Sequence, residues 1–448
     1  MKECKVNVIG AGLAGSEAAL FLADLGVKAN LFEMKPKAKT PAHKLDGFCE
    51  LVCSNSLKSE DIETASGLLK AELLKLGSKV LRLAKECAVP AGNSLSVDRH
   101  KFSESVTKLI KENSNINVCE CAIEEINLAE PTIIATGPLT EEKLMNNLKK
   151  YIGGSNCYFY DAIAPIVTLD SIDFSRAFWG NRYNKGEGEG DYLNLPMNRE
   201  EYTNFYNELV NAKTVELKEF EKIFEGCMPI EVMAKRGFEA MRFGPMKPVG
   251  LYDKAGEKPY AVVQLRKENE KGTMLNIVGF QTNLTFSEQK RVFGMIPALK
   301  NAEFIRYGVM HRNSFINAPL CLNACSQLRE YPNIFIAGQL SGVEGYVESI
   351  GSGLVSAINM YRYINKKNLM SLPADTCMGG ILNYIANSAS PFNFQPMNAN
   401  YGIIECNREF KDKKQKRLYI YENSMLEIDN FLHKCFLVEN SKCLTNKQ

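Results

Sequence analysis

The stretch KVNVIGAGLAGSEAALFLADLGVKANLFE, residues 5–33, decides the fold. Lys5–Ile9 is a short run with β-branched residues, and Gly10, Gly12 and Gly15 follow it in the spacing G-x-G-x-x-G. Ser16 to Leu25 has a helical composition, Gly26 closes that helix, and Ala29 to Phe32 reads as a second strand ending at Glu33. In such a unit Gly10 permits the tight turn, Gly12 lets the backbone approach a pyrophosphate, and Gly15 lets helix and strand pack closely. The helix N-terminus offers free N–H groups and the positive end of the dipole to that pyrophosphate. Gly10, Ala11, Gly12, Leu13, Ala14 and Gly15 are therefore the expected cradle. Glu33, 18 positions beyond Gly15, and its neighbour Met34 stand where a carboxylate takes the ribose hydroxyls.

Working outward, 448 residues exceed one ordinary core, so two or three domains are expected. A net charge of +2 leaves nucleic-acid binding to local basic patches, because no global field exists to supply it. No apolar stretch approaches the roughly 20 residues that span a bilayer, and a core strand directly after MKE leaves no room for a signal peptide, so a cytoplasmic protein is expected. The 14 cysteines include no C-x-x-C pair and the chain has only four histidines, which argues against a structural zinc site and for reduced thiols.

Residues 131–140, PTIIATGPLT, read as a buried strand running into an Ala135-Thr136-Gly137 turn on the cofactor side. Residues 61–89 and Ser96–Ile110 read as helical. Residues 333–354, NIFIAGQLSGVEGYVESIGSGL, form a second strand, glycine-rich turn and helix start. Its Gly338, Gln339, Gly345, Tyr346, Gly351 and Gly353 are expected to contact the same cofactor. One dinucleotide held by both ends of a chain, with a domain between, is how flavoprotein oxidoreductases are built, so FAD is the expected ligand. The predicted organisation is an FAD-binding domain from residues 1–145 and 306–448, with a substrate domain inserted at 146–305. Strand signals recur in that insertion at Tyr260–Leu265 and Met274–Phe280, and the C-terminal region carries a basic cluster, Lys411–Arg417.

With GAGLAGSEAA stand FCELVCSNSLKS, FEGCMPIEVMAKRG, MRFGPMKPVGL, VVQLR, VGFQT, RYGVMHRN and IAGQLSGVEGYVESIGSGL. From Val6 to about Asn400 the chain resembles the bacterial folate- and FAD-dependent tRNA (uracil-5-)-methyltransferase family. The resemblance implies an α/β architecture, a Rossmann-like FAD-binding domain of glutathione-reductase/GidA type with an inserted α+β domain. It also implies transfer of a one-carbon unit from 5,10-methylenetetrahydrofolate to C5 of the T-loop uridine in tRNA, with NADH or NADPH as reductant and FAD carrying the carbon. The same chemistry on ribosomal RNA is one alternative. Another is an FAD- and RNA-binding partner subunit in wobble-uridine modification.

C5 methylation of uracil needs C5 made nucleophilic, which thiolate addition to C6 achieves, so the site requires an activated cysteine. Cys227 precedes Pro229 and a helical run with Lys235 and Arg236, a setting that favours thiolate; the resemblance assigns it the attack on uracil. Cys53 lies in LVCSNSLKS, where Ser54, Asn55 and Ser56 are turn and N-cap residue types, so it is expected near a helix start. The resemblance gives Cys53 a place by the flavin, as acid/base or transient attachment point; Cys49 is read as structural. Positive charge for folate or RNA is sought in the clusters Lys35–Lys44 and Lys235–Lys247, with Arg236, Arg242 and Lys247 in the second, and further candidates in Arg99, Arg266, Arg306, His311 and Arg312.

Overall fold

The computed structural model describes residues 5–437 except 41, 154–155, 163, 185–189, 216–227, 254–255, 270, 309 and 388–393, and it describes only the backbone at 156–162, 184, 310–312 and 436–437. Two buried cores organise the described residues. The first draws on residues 6–152 and 315–435, the second on 167–302.

A five-stranded parallel sheet forms the centre of the first core. Its order is Ile334–Ile336, Thr132–Ile134, Lys5–Ile9, Lys28–Glu33, Ile116–Glu120. The α/β fold expected from the opening stretch is thus observed, and the strand from the second glycine-rich segment closes one edge. Alternation is weak in these strands (Val6, Val8 and Ile9 are all buried) because helices cover both faces of a parallel sheet. The first helix, Leu13–Asp24, lies against the long helix Tyr346–Ile364.

Two stretches depart from the sequence reading. Residues 61–89 split into helices Ala65–Lys75 and Lys79–Glu86 around Gly77, whose φ of +96° ends the first. The helix expected from Ser96 starts at Arg99, because Ser94–Val97 is the central strand of a small antiparallel sheet and Asp98 caps the helix through His100 N and Lys101 N.

The second core lies under a six-stranded sheet whose paired strands are antiparallel, in the order Phe178–Trp179, Tyr192–Met197, Ala261–Lys267, Met274–Ile277, Ile166–Thr168, Phe304–Arg306. Here period-2 alternation is clear. Leu193, Leu195, Val263 and Leu265 turn into the core, while Asn194, Gln264 and Arg266 occupy the other face. The chain passes between the two cores along one antiparallel pair, Asn156–Ala162 against Met310–Ile316.

Candidate active site and cofactor cradle

A cavity of about 1170 Å³ opens at the carboxyl ends of the parallel strands, where open α/β sheets bind ligands. Gly10 to Ala14, Glu33, Met34, Ala135 to Gly137, Gly338, Gln339 and Tyr346 all line it. The glycines divide by task. Gly10 has φ +98°, and a Cβ there would meet the carbonyl oxygen of Ala135 at 2.6 Å. A Cβ on Gly15 would stand 1.8 Å from the Gly10 carbonyl oxygen, whereas one on Gly12, the N-cap of the first helix, would meet open space. The cradle thus has room for a pyrophosphate at the helix end, and the donor set fits FAD: free helix amides at one end and a carboxylate at the ribose position. Glu33 is buried, its Oε2 accepting from Ala11 N (2.8 Å) and its Oε1 from Lys35 N (3.0 Å).

Gly351 and Gly353 do not line the cavity, contrary to expectation. A Cβ on Gly351 would meet Met378 Sδ at 2.5 Å, and one on Gly353 would meet the Ala14 carbonyl oxygen at 2.1 Å. Both are packing glycines that let the long helix approach its neighbours. Gly345 likewise sits outside the lining; it supplies the φ of +120° from which that helix starts.

Cys53 is half-buried and directly follows Val52, a lining residue. It is not at a helix start. The chain goes on into the strand Ser56–Ser59, and helix Ala65–Lys75 is capped by Thr64. The amides that an N-terminus would have left free find side chains instead: Cys53 N and Ser54 N both donate to the Tyr346 hydroxyl oxygen, at 2.8 and 3.2 Å. The carbonyls of the same turn face guanidinium groups. Arg99 donates to Leu51 O (2.8 Å) and Cys53 O (3.3 Å), and Arg306 to Val52 O (2.7 Å). From the second core Arg266 reaches Asn55 Oδ1 (3.0 Å) and Ser54 Oγ (2.8 Å). Against these three cations stands Glu268, buried and 2.7 Å from Arg99 Nε. Burial, then the nearby Arg99 charge, pulls the Arg306 pKa down. Burial also raises the Tyr346 phenol, which keeps it a neutral acceptor.

Cys49 lines the cavity, but burial pushes its thiol up to about 12, so it stays protonated and unreactive. Lys35, buried and 3.6 Å from Glu50, donates to Gly47 O and fixes the loop over the cavity.

A sequence pattern described as Glucose inhibited division protein A matches residues 5–368. A curated protein of Caldicellulosiruptor bescii, named methylenetetrahydrofolate--tRNA-(uracil-5-)-methyltransferase TrmFO, is 52% identical over 96% of this chain and all of its own length. The chain belongs to the TrmFO family. A TrmFO of Acetivibrio thermocellus is 53% identical over 94% of this chain and 96% of its own length. Among solved structures, Aquifex aeolicus GidA superposes with a TM-score of 0.69 at 16% identity, covering 97% of this chain and 74% of that one, which shows a shared fold.

Of the other TrmFO-like features read from the sequence, Cys227 lies outside the described residues. Pro229 begins the helix Ile230–Lys235 just beyond it. Lys235, Arg236 and Lys247 are exposed. Arg242 is engaged inward: its Nε donates to Tyr260 O (2.8 Å), its guanidinium lies 3.7 Å from the Tyr260 ring centroid, and it pairs with Glu239. Arg312 lies on the crossing strand opposite Tyr160, and its side chain is outside the described set. Sequence reasoning missed Glu50 and Glu268. No local pattern flags Glu268, since its partner Arg99 is on a distant helix and only folding brings them together.

Proposed function

We propose that this protein transfers a one-carbon unit from 5,10-methylenetetrahydrofolate to C5 of a T-loop uridine in tRNA, with NADH or NADPH as reductant and FAD in the described cavity. The observation that carries the reading is the Cys53 turn, held at the cavity by Tyr346 and three arginines, in a chain half identical to TrmFO proteins along nearly its whole length. Bound in the cradle, FAD supplies redox and one-carbon-carrying chemistry. Gly12 and the helix amides hold its pyrophosphate and Glu33 its ribose. Cys227 adds through sulfur to C6 of the uracil, which makes C5 nucleophilic. Once C5 carries the new carbon, Cys53 takes the C5 proton, a hydride equivalent drawn from NADH or NADPH brings that carbon from the methylene to the methyl level, and the Cys227 sulfur leaves C6, restoring the ring. The exposed Lys235, Arg236 and Lys247 bind the RNA backbone.

The test is incubation of a tRNA transcript and a ribosomal RNA fragment with the FAD-loaded enzyme, methylenetetrahydrofolate and NADPH. The expected result is 5-methyluridine in the T-loop alone, and none from Cys227→Ala, which still binds FAD. Robust methylation by Cys227→Ala would sink the nucleophile assignment. At 52% identity to TrmFO against 16% to GidA, one-carbon transfer is favoured over a wobble-uridine partner role.

A further inference from the structure

Phe243 is 82% exposed, the most exposed large apolar side chain among the described residues. It ends the short helix Ala240–Phe243, and the loop that follows displays Val249 and Tyr252 (63% exposed). This loop does not lack a core to enter, since Met241, Met246 and Leu251 from the same stretch are buried beneath it. The backbone is also fixed. Met246 N donates to Met241 O (2.9 Å), and Val262 N of the second sheet donates to Met246 O (3.1 Å). Arg182 ties the Val249 carbonyl (2.8 Å) to Gln264 (3.1 Å). The rings outside are therefore presented by a rigid support.

A third ring joins them. Tyr183, 63% exposed, donates its amide to Gly250 O at 2.8 Å. Its φ of +59° is a left-handed conformation that a non-glycine residue seldom adopts. A Cβ on Gly250 would come within 3.0 Å of the Tyr183 ring, so the glycine leaves that ring its place. Isolated exposed apolar residues need no explanation. Three aromatic rings on one braced loop and the turn tied to it, with Lys235 and Lys247 exposed on the same segment, do.

Val262, under this loop, and Arg266, holding the turn of Cys53, lie on one strand and one face. Four residues of strand separate them, about 13 Å.

Resting on the proposed function, we propose that Phe243, on the loop that also exposes Tyr252 and to which the Tyr183 turn is tied, is a base-stacking platform for the unpaired loop of the RNA substrate, with Lys235 and Lys247 on its phosphates. Aromatic rings stack on any base, and cations beside them follow the backbone, whereas the core of a protein–protein interface is depleted in lysine.

The experiment compares FAD-loaded wild type with Phe243→Ala, Phe243→Trp and Lys247→Ala in binding a T-arm stem-loop RNA and a fully paired duplex of equal length. Phe243→Ala is expected to weaken stem-loop binding about 5- to 100-fold and to leave duplex binding unchanged. Phe243→Trp restores it, and Lys247→Ala lowers the salt slope by about one. FAD content and NADPH oxidation stay at wild-type levels in Phe243→Ala and Phe243→Trp. Unchanged stem-loop affinity and KM for RNA in Phe243→Ala, while wild type methylates the transcript, overturns this inference and leaves the function standing. A change of oligomeric state in Phe243→Ala on sedimentation also overturns it, because the face then serves self-association. If wild type itself makes no 5-methyluridine, the function reading falls first.

Discussion

The hydroxyl oxygen of Tyr346 accepts hydrogen bonds from two successive amides, Cys53 N and Ser54 N, that lie 293 and 292 residues away in the chain. The second glycine-rich segment thus does more than shape the cofactor cavity. It fixes the backbone that carries the Cys53 thiol, so one residue serves both cavity and turn.

Tyr346→Phe removes that acceptor and leaves two part-buried amides unpaired, at about 1–3 kcal/mol each. The turn relaxes and Cys53 leaves its position. FAD content is expected to hold within twofold while kcat for methylation drops at least tenfold, as checked by flavin absorbance and product formation. Equal kcat in variant and wild type would show that the contact is merely structural.

The glycines separate fold from ligand. Gly15→Ala forces a Cβ into the Gly10 carbonyl and should lower the thermal midpoint sharply. Gly12→Ala meets open space and should leave the FAD-free midpoint near wild type, yet weaken FAD binding at least tenfold by filling the pyrophosphate position. Titration of FAD into both apoproteins, with thermal melts, reads the difference.

Glu268 is the carboxylate facing Arg99 in the cluster that holds the Cys53 turn, and it is 2% exposed. Glu268→Gln leaves buried guanidinium charge uncompensated, which costs about 3–5 kcal/mol when a buried pair is broken. Chemical denaturation should show a loss of this order, and alkylation of Cys53, mapped by mass spectrometry, should change in rate. A stability change under 1 kcal/mol would mean that the pair contributes little.

Glu17 is wholly buried, accepting from Ser78 Oγ, Lys79 N and Val80 N at the start of helix Lys79–Glu86, and burial raises its pKa to about 7. A carboxyl whose folded pKa exceeds its unfolded value stabilises the fold below the unfolded value, and this contribution is lost as pH rises through the folded one. Between about pH 4.5 and 7 wild type should therefore lose stability relative to Glu17→Gln, at up to about 1.4 kcal/mol per pH unit. Urea midpoints of both proteins across that range test it; a difference that is constant with pH would contradict the raised pKa.

Local patterns carried far in the first core. The spacing of Gly10, Gly12 and Gly15, the buried strand before Ala135 and the second turn at Gly338 bring Gly10, Gly12, Ala135 and Gly338 to the lining of the cavity, while Gly15 lies outside the lining, packed against the Gly10 carbonyl. The same reasoning failed for Gly351 and Gly353, where the demand came from Met378 and Ala14 on other helices, and for Cys53, whose turn residues meet Tyr346 instead of capping a helix.

What the sequence by itself determined is the parallel sheet, the dinucleotide cradle and the cysteine motifs, since hydrophobic period, glycine spacing and turn chemistry act over short stretches of chain. Only the tertiary structure decided which charges matter. Arg99, Arg266 and Arg306 look like any surface cation in the sequence, and Glu268 like any acid. They become the frame of the Cys53 turn because packing the second core on the first removes them from water, and a buried charge must then find its partner in the fold.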